Sequence, residues 1–497
     1  MVREGAVITG RGDITGPDTR PVTLEPGREI DRLVNLHFAT LSSTVLTADM
    51  PVYNGTLQGL PPQTRTPHHL IGLPQKSALV ATFRGQPLHA LRTPAVVIDR
   101  AVYASNCARM HDKAKQWGAA FRAHVKTHKT AEGTTLQLSS SSDKTHAIVV
   151  STLMEACEVV KAGLVADGTV TDILYGLPLP PNKIADLSAL WDEIAQNGAI
   201  IRIMIDHPDQ VKLLELFESR RENPRTWSVF VKVDAGGKRA GLVPTSAAFE
   251  ELLIALLNSP IISIYGFYSH AGQSYASTSF TTASTFLSAE VDAVNTAAGL
   301  ALSMIPGMPG VESRISAPFV LAVGSTPTAH TASVETRDRL ASSLNGTLEL
   351  HAGNYPLLDL QQLHTNLVDR SRVAQKVLTT VISYYPGRGV GGTDEAMCDA
   401  GALAMSKDTG PSGTFGEVLG KSWKLGRISQ EHGTLTRSPE AGPPTGRDAL
   451  KVGEVVEIVG QHACLTLAGH PWYYVVDSSI NGGGNVVEDV WVPWKGW

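Results

Sequence analysis

The chain has 497 residues, of which 42% are hydrophobic and 18% are charged, and its net charge is −5. This composition is typical of a globular protein, and the acidic balance excludes a general affinity for nucleic acids or anionic membranes. The length predicts two domains, and no apolar run is long enough for a membrane span. The four cysteines are scattered, which favours a reducing compartment and predicts a cytoplasmic location.

Residues 1–85 are rich in Thr, Pro and Gly, and we predict an extension of unknown role. One helix is predicted within it, over about residues 28–45. From residue 86 the pattern changes, because short β-branched runs begin to alternate with longer segments of helical period. This change marks the predicted start of a folded domain.

Eight such runs are predicted strands, each followed by enough chain for a helix. Alternation of this kind indicates parallel βαβ units, and eight units over about 250 residues match the size of a (β/α)₈ barrel. An open doubly wound sheet is the alternative, but no G-x-G-x-x-G motif follows the first strand. The predicted barrel covers residues 86–360, with strands at 119–125, 146–150, 171–176, 199–205, 227–234, 261–268, 317–324 and 346–350.

Residues 361–497 have a different texture, in which short apolar runs are separated by Gly and Pro without intervening helices. This texture predicts a β-rich C-terminal domain. The predicted strands are "QKVLTTVISYYPG", "AMCDAGALAMSKD", "VVEIVG", "HACLTLAG" and "WYYVVD". The fold class is therefore α/β, with a TIM barrel followed by a smaller β domain.

Barrel enzymes carry their chemistry at the C-terminal ends of the strands, so the strand assignments also predict a site. Phosphate groups commonly bind after strands seven and eight, where this chain has "GSTPT" and "HAGNY". The candidate cofactor-binding residues are Lys126 after strand one, Tyr175 after strand three, Tyr268 and Tyr275 after strand six, Gly324, Ser325 and Thr326 after strand seven, and His351, Asn354 and Tyr355 after strand eight.

Lys126 lies in the basic segment "FRAHVKTHKT", which by itself could be a solvated loop. In a closed barrel, however, strand one is adjacent to strand eight. A lysine that reaches towards a phosphate-anchored aldehyde is the arrangement of a pyridoxal phosphate Schiff base. We therefore predict that Lys126 binds pyridoxal 5′-phosphate.

Seven motifs occur in an order that is similar to one known family: "LRTPAVVID", "RAHVKTHKT", "KVDAGGKRAGL", "FYSHAGQSY", "AVGSTPT", "ELHAGNYPLLD" and "GQHACLTL". Together they resemble the eukaryotic-type D-serine dehydratase and D-threonine aldolase family, over about residues 90–497. The resemblance implies an alanine-racemase-like barrel, a Schiff base at Lys126, and His351 facing the pyridine nitrogen. A neutral His351 would leave that nitrogen less protonated than an aspartate would, which predicts a weaker electron sink.

The resemblance also implies a zinc site at His462 and Cys464. Their i, i+2 spacing in "QHACLTL" was expected to place both side chains on one face of a strand. A thiolate with an imidazole favours zinc over magnesium or calcium. The sequence supplies only these two candidate ligands.

The resemblance implies elimination of water from D-serine to pyruvate and ammonia, with Lys126 as the base at Cα and zinc acting on the leaving hydroxyl. It also implies a homodimer. Two alternatives stay open, which are D-threonine aldolase-type cleavage and dehydration of D-threo-3-hydroxyaspartate. Both reactions would use the same lysine, cofactor and metal. Racemisation and a non-catalytic cofactor carrier are further alternatives; the carriers of this fold lack the C-terminal β domain.

Overall fold

A computed structural model describes residues 67–308, 310–311, 314–315, 318–340, 343–480 and 483–497. All of them belong to one compact unit, residues 59–497. The helix predicted over residues 28–45 lies outside the described residues. Within them, no helix combines the length and the apolar character that crossing a membrane requires.

The predicted eight-stranded parallel barrel is confirmed. Each strand pairs with the next in chain order, and the last pairs with the first, with Arg122 opposite His351. Its strands are β2 (Ala120–His124), β3 (Ala147–Val150), β4 (Asp172–Pro178), β5 (Ile200–Ile205), β6 (Trp227–Lys232), β7 (Ile262–Tyr268), β8 (Phe319–Val323) and β9 (Gly346–Ala352).

Helices cover the outside of the barrel, and several begin at a side-chain cap that satisfies a free backbone N–H group. Thr130, Thr152 and Ser246 each accept such a hydrogen bond. The helices up to the end of the barrel are α1 (Lys76–Phe83), α2 (Arg100–Gln116), α3 (Ala131–Leu138), α4 (Leu153–Lys161), α5 (Ile184–Ala195), α6 (Pro208–Glu218), α7 (Ala247–Asn258), α8 (Phe280–Met304), α9 (Thr326–His330) and α10 (Val334–Asp338).

Besides the barrel there is a nine-stranded sheet. It is mostly antiparallel, with the strand order β11-β14-β13-β12-β15-β10-β1-β16-β17. The strand β1 precedes the barrel in sequence, so residues 95–99 of the predicted barrel segment belong to this sheet. The strands are β1 (Ala95–Asp99), β10 (Gln375–Tyr385), β11 (Glu395–Cys398), β12 (Gly416–Val418), β13 (Lys424–Ile428), β14 (Gly433–Thr436), β15 (Val455–Gly460), β16 (Tyr473–Val476) and β17 (Asp489–Trp491).

Short helices interrupt the C-terminal region, contrary to the prediction of strands alone. They are α11 (Leu360–His364), α12 (Ala402–Met405) and α13 (Ala463–Ala468). In α13 the buried residues are Ala463, Thr466 and Leu467, which is a spacing of three to four and not two. The prediction that "HACLTLAG" forms a strand was therefore wrong, and so was the second half of "AMCDAGALAMSKD".

The barrel interior has an apolar layer and an ionic layer. Apolar side chains from six strands form the first: Val149, Leu174, Met204, Phe230, Tyr268, Val320 and Ala322. Arg122, Asp172, Glu349 and Arg202 form the second layer through ion pairs. Buried charges of this kind are costly unless they are paired, so the four side chains constrain one another.

Candidate active site

A cavity of about 530 Å³ opens at the C-terminal ends of the barrel strands. This volume lies in the range of small-molecule and cofactor sites. The cavity brings together seven of the ten predicted cofactor-binding residues: Lys126, Tyr268, Tyr275, Gly324, Ser325, Thr326 and His351.

Lys126 and Lys129 have different surroundings. Lys126 follows β2, is half-buried and lines the cavity, and among the described residues no carboxylate pairs with its ammonium. The Lys129 ammonium lies 3.0 Å from Oε1 of Glu155, a fully buried side chain. The first lysine is available for chemistry in the cavity, whereas the second is held in an ion pair outside it.

The loop after β8 presents hydroxyl groups to the cavity. Ser325 and Ser274 share a hydrogen bond of 2.7 Å between their Oγ atoms, and Thr326 Oγ1 accepts one from the Asn354 backbone N–H at 3.1 Å. Gly324 has a φ of +131°, and a Cβ there would lie 2.2 Å from the His351 carbonyl oxygen. Only glycine allows this close approach of the loops after β8 and β9.

Three predicted residues do not line the cavity. Successive strand residues face opposite sides, so Tyr175 points away from the interior that Leu174 occupies, and Lys183 Nζ donates to its hydroxyl at 3.2 Å. The Asn354 side-chain amide donates to Asp359 instead, at 2.6 Å. The Tyr355 ring packs on Phe121, with centroids 5.7 Å apart.

Lys232 in β6 is a second lysine of the cavity that the sequence interpretation missed. It is 4% exposed, and burial together with the nearby Arg239 lowers its pKa to about 7. Its Nζ donates to the backbone carbonyl oxygens of Val233 and Tyr268, at 3.2 and 3.4 Å. The available signal was a charged residue in the middle of the apolar run "WSVFVKVD".

Two histidines of the cavity are kept neutral. Burial lowers the pKa of His124 and of His270 well below the usual range, and the positive charge of Lys126 adds to both shifts. His270 Nδ1 donates to the Gly324 carbonyl oxygen at 2.8 Å. This bond attaches the loop after β7 to the loop that carries Ser325.

His462 and Cys464 are adjacent, although not on a strand. His462 occupies the N-cap position of α13 without a side-chain capping bond, and Cys464 lies in the first turn of this helix, where Sγ is 3.2 Å from Thr127 Oγ1. Burial alone would lower the pKa of His462, but its hydrogen bond with Cys464 and the negative charges of Cys464, Asp359 and Asp408 together outweigh burial and raise that pKa to about 9. The same contact lowers the pKa of the Cys464 thiol against the effect of burial.

The donor set at this pair is incomplete for an all-protein metal site. His462 Nδ1 and Asp408 Oδ2 are 2.9 Å apart, a carboxylate contact that orients histidine ligands in metal sites. Across the residues that the structure describes, no group of three or more His, Cys, Asp or Glu side chains could hold a metal ion. A metal at the pair would need water or substrate as additional ligands.

Asp359 connects the barrel to the helix that carries His462 and Cys464, and it was also missed. Its buried carboxylate accepts hydrogen bonds from Gln362 N–H at 2.9 Å, from the Asn354 amide at 2.6 Å and from Ala463 N–H at 2.8 Å. It thereby caps α11 and attaches α13 to the loop after β9. The sequence signal was an aspartate directly before a helical segment.

Replacement of Asp359 by alanine is expected to lower the free energy of unfolding by about 3 kcal/mol or more. The reason is that three donors lose their acceptor in the interior and one helix loses its cap. Urea unfolding of the two proteins measures the difference. A loss below about 1 kcal/mol would contradict this role for the carboxylate.

Two family models match the chain. Residues 98–303 match "Alanine racemase, N-terminal domain", which covers most of the barrel. Residues 374–476 match "Putative serine dehydratase domain", which covers much of the nine-stranded sheet and includes His462 and Cys464.

Named relatives match most of the chain. The D-serine dehydratase of Schizosaccharomyces pombe is 42% identical over 428 residues, which are 85% of this chain and 96% of that protein. The D-serine dehydratase of Saccharomyces cerevisiae is 34% identical over 450 residues, covering 85% of this chain and 100% of that protein.

Solved structures of related enzymes have a similar fold. The D-threo-3-hydroxyaspartate dehydratase from Delftia sp. HT23 is 28% identical and has a TM-score of 0.66, covering 83% of this chain and 100% of that one. A further structure is of a cysteine-to-alanine variant of an enzyme of that name, in its metal-free form.

Proposed function

Because the chain belongs to the D-serine dehydratase family, we propose that it is a lyase that eliminates water from D-serine to give pyruvate and ammonia. The observation that carries the proposal is 42% identity over 96% of a relative of that name. The lysine-lined cavity at the barrel mouth supports it, because it supplies a base within a small-molecule site.

The residues of the cavity fit pyridoxal 5′-phosphate. Lys126 would hold the aldehyde carbon through Nζ, and the loop hydroxyls of Ser325 and Thr326 would hold the phosphate. One buried polar atom of the lining, His351 Nδ1, has no partner among the described residues and is free to bond a ligand. When bound, this cofactor supplies an electron sink for the charge that develops at Cα.

Lys126 is the group that moves the proton. The Lys126 amine would accept the Cα proton, the electron pair of that C–H bond would form the Cα–Cβ double bond, and the β-hydroxyl would leave with the C–O pair. Water then hydrolyses the resulting aminoacrylate to pyruvate and ammonia. Neutral His124 and His270 suit this role, because neither adds a positive charge beside the amine.

Zinc is proposed at His462 and Cys464, where it would supply Lewis-acid assistance to the leaving hydroxyl. A thiol with a lowered pKa and an imidazole are donors that zinc prefers. Thr127, which follows Lys126, contacts Cys464, so the pair lies beside the proposed base. A metal-free structure of a cysteine-to-alanine variant is known for a D-threo-3-hydroxyaspartate dehydratase, which is consistent with a cysteine ligand in that enzyme.

The products identify the reaction. Purified protein with pyridoxal phosphate and zinc is expected to convert D-serine to equimolar pyruvate and ammonia, measured by coupled NADH oxidation and ammonia assay. L-serine serves as the control and is expected to give neither product. Glycine plus an aldehyde from D-threonine, without pyruvate from D-serine, would establish the aldolase alternative and overturn the proposal.

D-threo-3-hydroxyaspartate is the second substrate to assay. Its dehydration has support in the 28% identical solved structure, whereas the D-serine reaction has support at 42% and 34% identity. A kcat/KM for D-threo-3-hydroxyaspartate at least tenfold above that for D-serine would reverse the order of the two substrates.

We also propose a homodimer and a cytoplasmic location. The four cysteines are all free in the structure, which suits a reducing compartment. Sedimentation velocity tests the dimer, for which the expected mass is about twice the 53.0 kDa of the chain.

A further inference from the structure

The ionic layer of the barrel extends to the cavity through one histidine. Arg122 is fully buried, and its Nε and Nη2 donate to the two carboxylate oxygens of Glu349, at 2.8 and 3.3 Å. Its Nη1 donates to Asp172 Oδ1 at 2.6 Å, and Arg202 Nε donates to the second oxygen of Asp172 at 2.8 Å. Every charge in this layer has a partner.

Glu349 makes one further contact, to His351. Its Oε1 lies 2.7 Å from His351 Nε2, and both side chains are nearly fully buried, at 4% and 2% exposure. Burial by itself would raise the pKa of Glu349, but Arg122 and the His351 contact hold it well below the usual range. An ionised carboxylate only accepts hydrogen bonds, so the proton of His351 lies on Nε2.

The other ring nitrogen of His351 is a buried atom without a partner. Nδ1 has no hydrogen bond among the described residues, although His351 lines the same cavity as Lys126. Burial lowers the pKa of His351, and Arg122 opposes a second proton, whereas Glu349 and Asp172 favour one. The pKa of His351 is lowered overall, so the ring is neutral and carries a lone pair on Nδ1.

We infer that the Arg122–Glu349 pair holds His351 in the tautomer whose Nδ1 accepts a hydrogen bond from a protonated ring nitrogen of the bound cofactor. The inference rests on the proposed function and deepens it, because it assigns Glu349 as a positioning residue. A lone pair at Nδ1 repels an unprotonated nitrogen and attracts a pyridinium N–H. The cofactor ring is therefore kept protonated, as a strong electron sink.

The carboxylate behind His351 changes one expectation from the sequence. A neutral histidine alone was expected to leave the ring nitrogen less protonated than an aspartate would. With an ionised carboxylate behind it, the histidine becomes an oriented acceptor, as in other sites where a carboxylate fixes a histidine tautomer.

Solid-state ¹⁵N NMR of the full-length holoenzyme tests the inference directly. Wild-type protein is loaded with pyridoxal phosphate that carries ¹⁵N in the ring, and zinc is present. A resonance in the pyridinium range is expected, and a resonance in the unprotonated range would overturn the inference. Failure of wild-type protein to retain the label would instead refute the proposed function, so the two failures are distinguishable.

Two matched variants separate positioning from stability. Glu349→Ala and Asp172→Ala each remove one carboxylate from Arg122, but only Glu349 contacts His351. Glu349→Ala is expected to move the ring resonance towards the unprotonated range and to lower kcat by about 10²- to 10⁴-fold, as when the orienting partner of a histidine is lost. Asp172→Ala is expected to keep the pyridinium resonance. Equal spectra for the two variants would overturn the assignment.

If Glu349→Ala does not fold, the tautomer of His351 in the wild-type protein still tests the inference. Histidine-labelled wild-type protein without cofactor is expected to show His351 protonated at Nε2 and unprotonated at Nδ1, with the signal assigned by its loss in His351→Gln. The opposite tautomer would overturn the inference.

Discussion

Replacement of Lys126 by alanine is expected to abolish the yellow cofactor absorption and to lower turnover of D-serine by more than about 10⁴-fold. The expected loss is this large because one Nζ atom both holds the cofactor and accepts the Cα proton. Absorbance spectra of the reconstituted protein and pyruvate formation measure the two effects. Lys126 is suited to both because it lines the cavity with no carboxylate partner among the described residues.

Lys129 supplies the matched control three residues away. Lys129→Ala is expected to keep the absorption and most of the turnover, because its ammonium pairs with Glu155 outside the cavity. It is expected to lower the free energy of unfolding by about 1–3 kcal/mol, since a buried carboxylate loses its charged partner. Lost absorption in Lys129→Ala and retained absorption in Lys126→Ala would show that the cofactor binds to the second lysine.

Removal of zinc is expected to lower turnover by at least about 10²-fold while the cofactor absorption stays. The physical reason is that hydroxide is a poor leaving group, and the metal would stabilise it as it departs. Dialysis against EDTA, followed by measurement of bound zinc, absorbance and pyruvate formation, tests this expectation. Added zinc is expected to restore turnover, and full activity without metal would refute the role of His462 and Cys464.

Point variants test whether zinc binds at His462 and Cys464. Cys464→Ala and His462→Ala are each expected to reduce bound zinc below about 0.1 per chain, because only two protein ligands are proposed. Cys157→Ala is the control for loss of a thiol, since Cys157 is also a free, half-buried cysteine but lies on α4 of the barrel. Zinc content that is normal in Cys464→Ala would place the metal elsewhere.

His462 and Cys464 show how two residues can be adjacent, as predicted, although the predicted local structure is wrong. His462 and Cys464 were placed on one face of a strand, yet they occupy the cap and the first turn of α13. His462 has an extended backbone before the helix, with φ −142° and ψ 102°, so its ring still reaches the residue two positions further on. A tertiary contact favours the helix over the strand: Thr466 Oγ1 donates a hydrogen bond to the Met405 carbonyl oxygen at 3.1 Å, across 61 residues of sequence.

The side of the strand that Tyr175 faces could not be predicted from the sequence. The sequence places it at the end of a barrel strand, but the side that each residue faces depends on register and on irregularities. The pairing of β4 with β5 shifts register between Leu174 and Pro178. The apolar side chain of Leu174 faces the interior, which turns the Tyr175 ring towards the helices.

The sequence by itself determined the barrel and the position of Lys126, because alternation of apolar strands with helical segments is a local pattern and barrel chemistry collects at strand ends. Tertiary structure alone decided which buried charges work together. Arg122 and Glu349 are 227 residues apart, and each would be unstable in the interior without the other. Closure of the barrel makes β2 and β9 neighbours, and only then do Glu349 and His351 become part of the site built around Lys126.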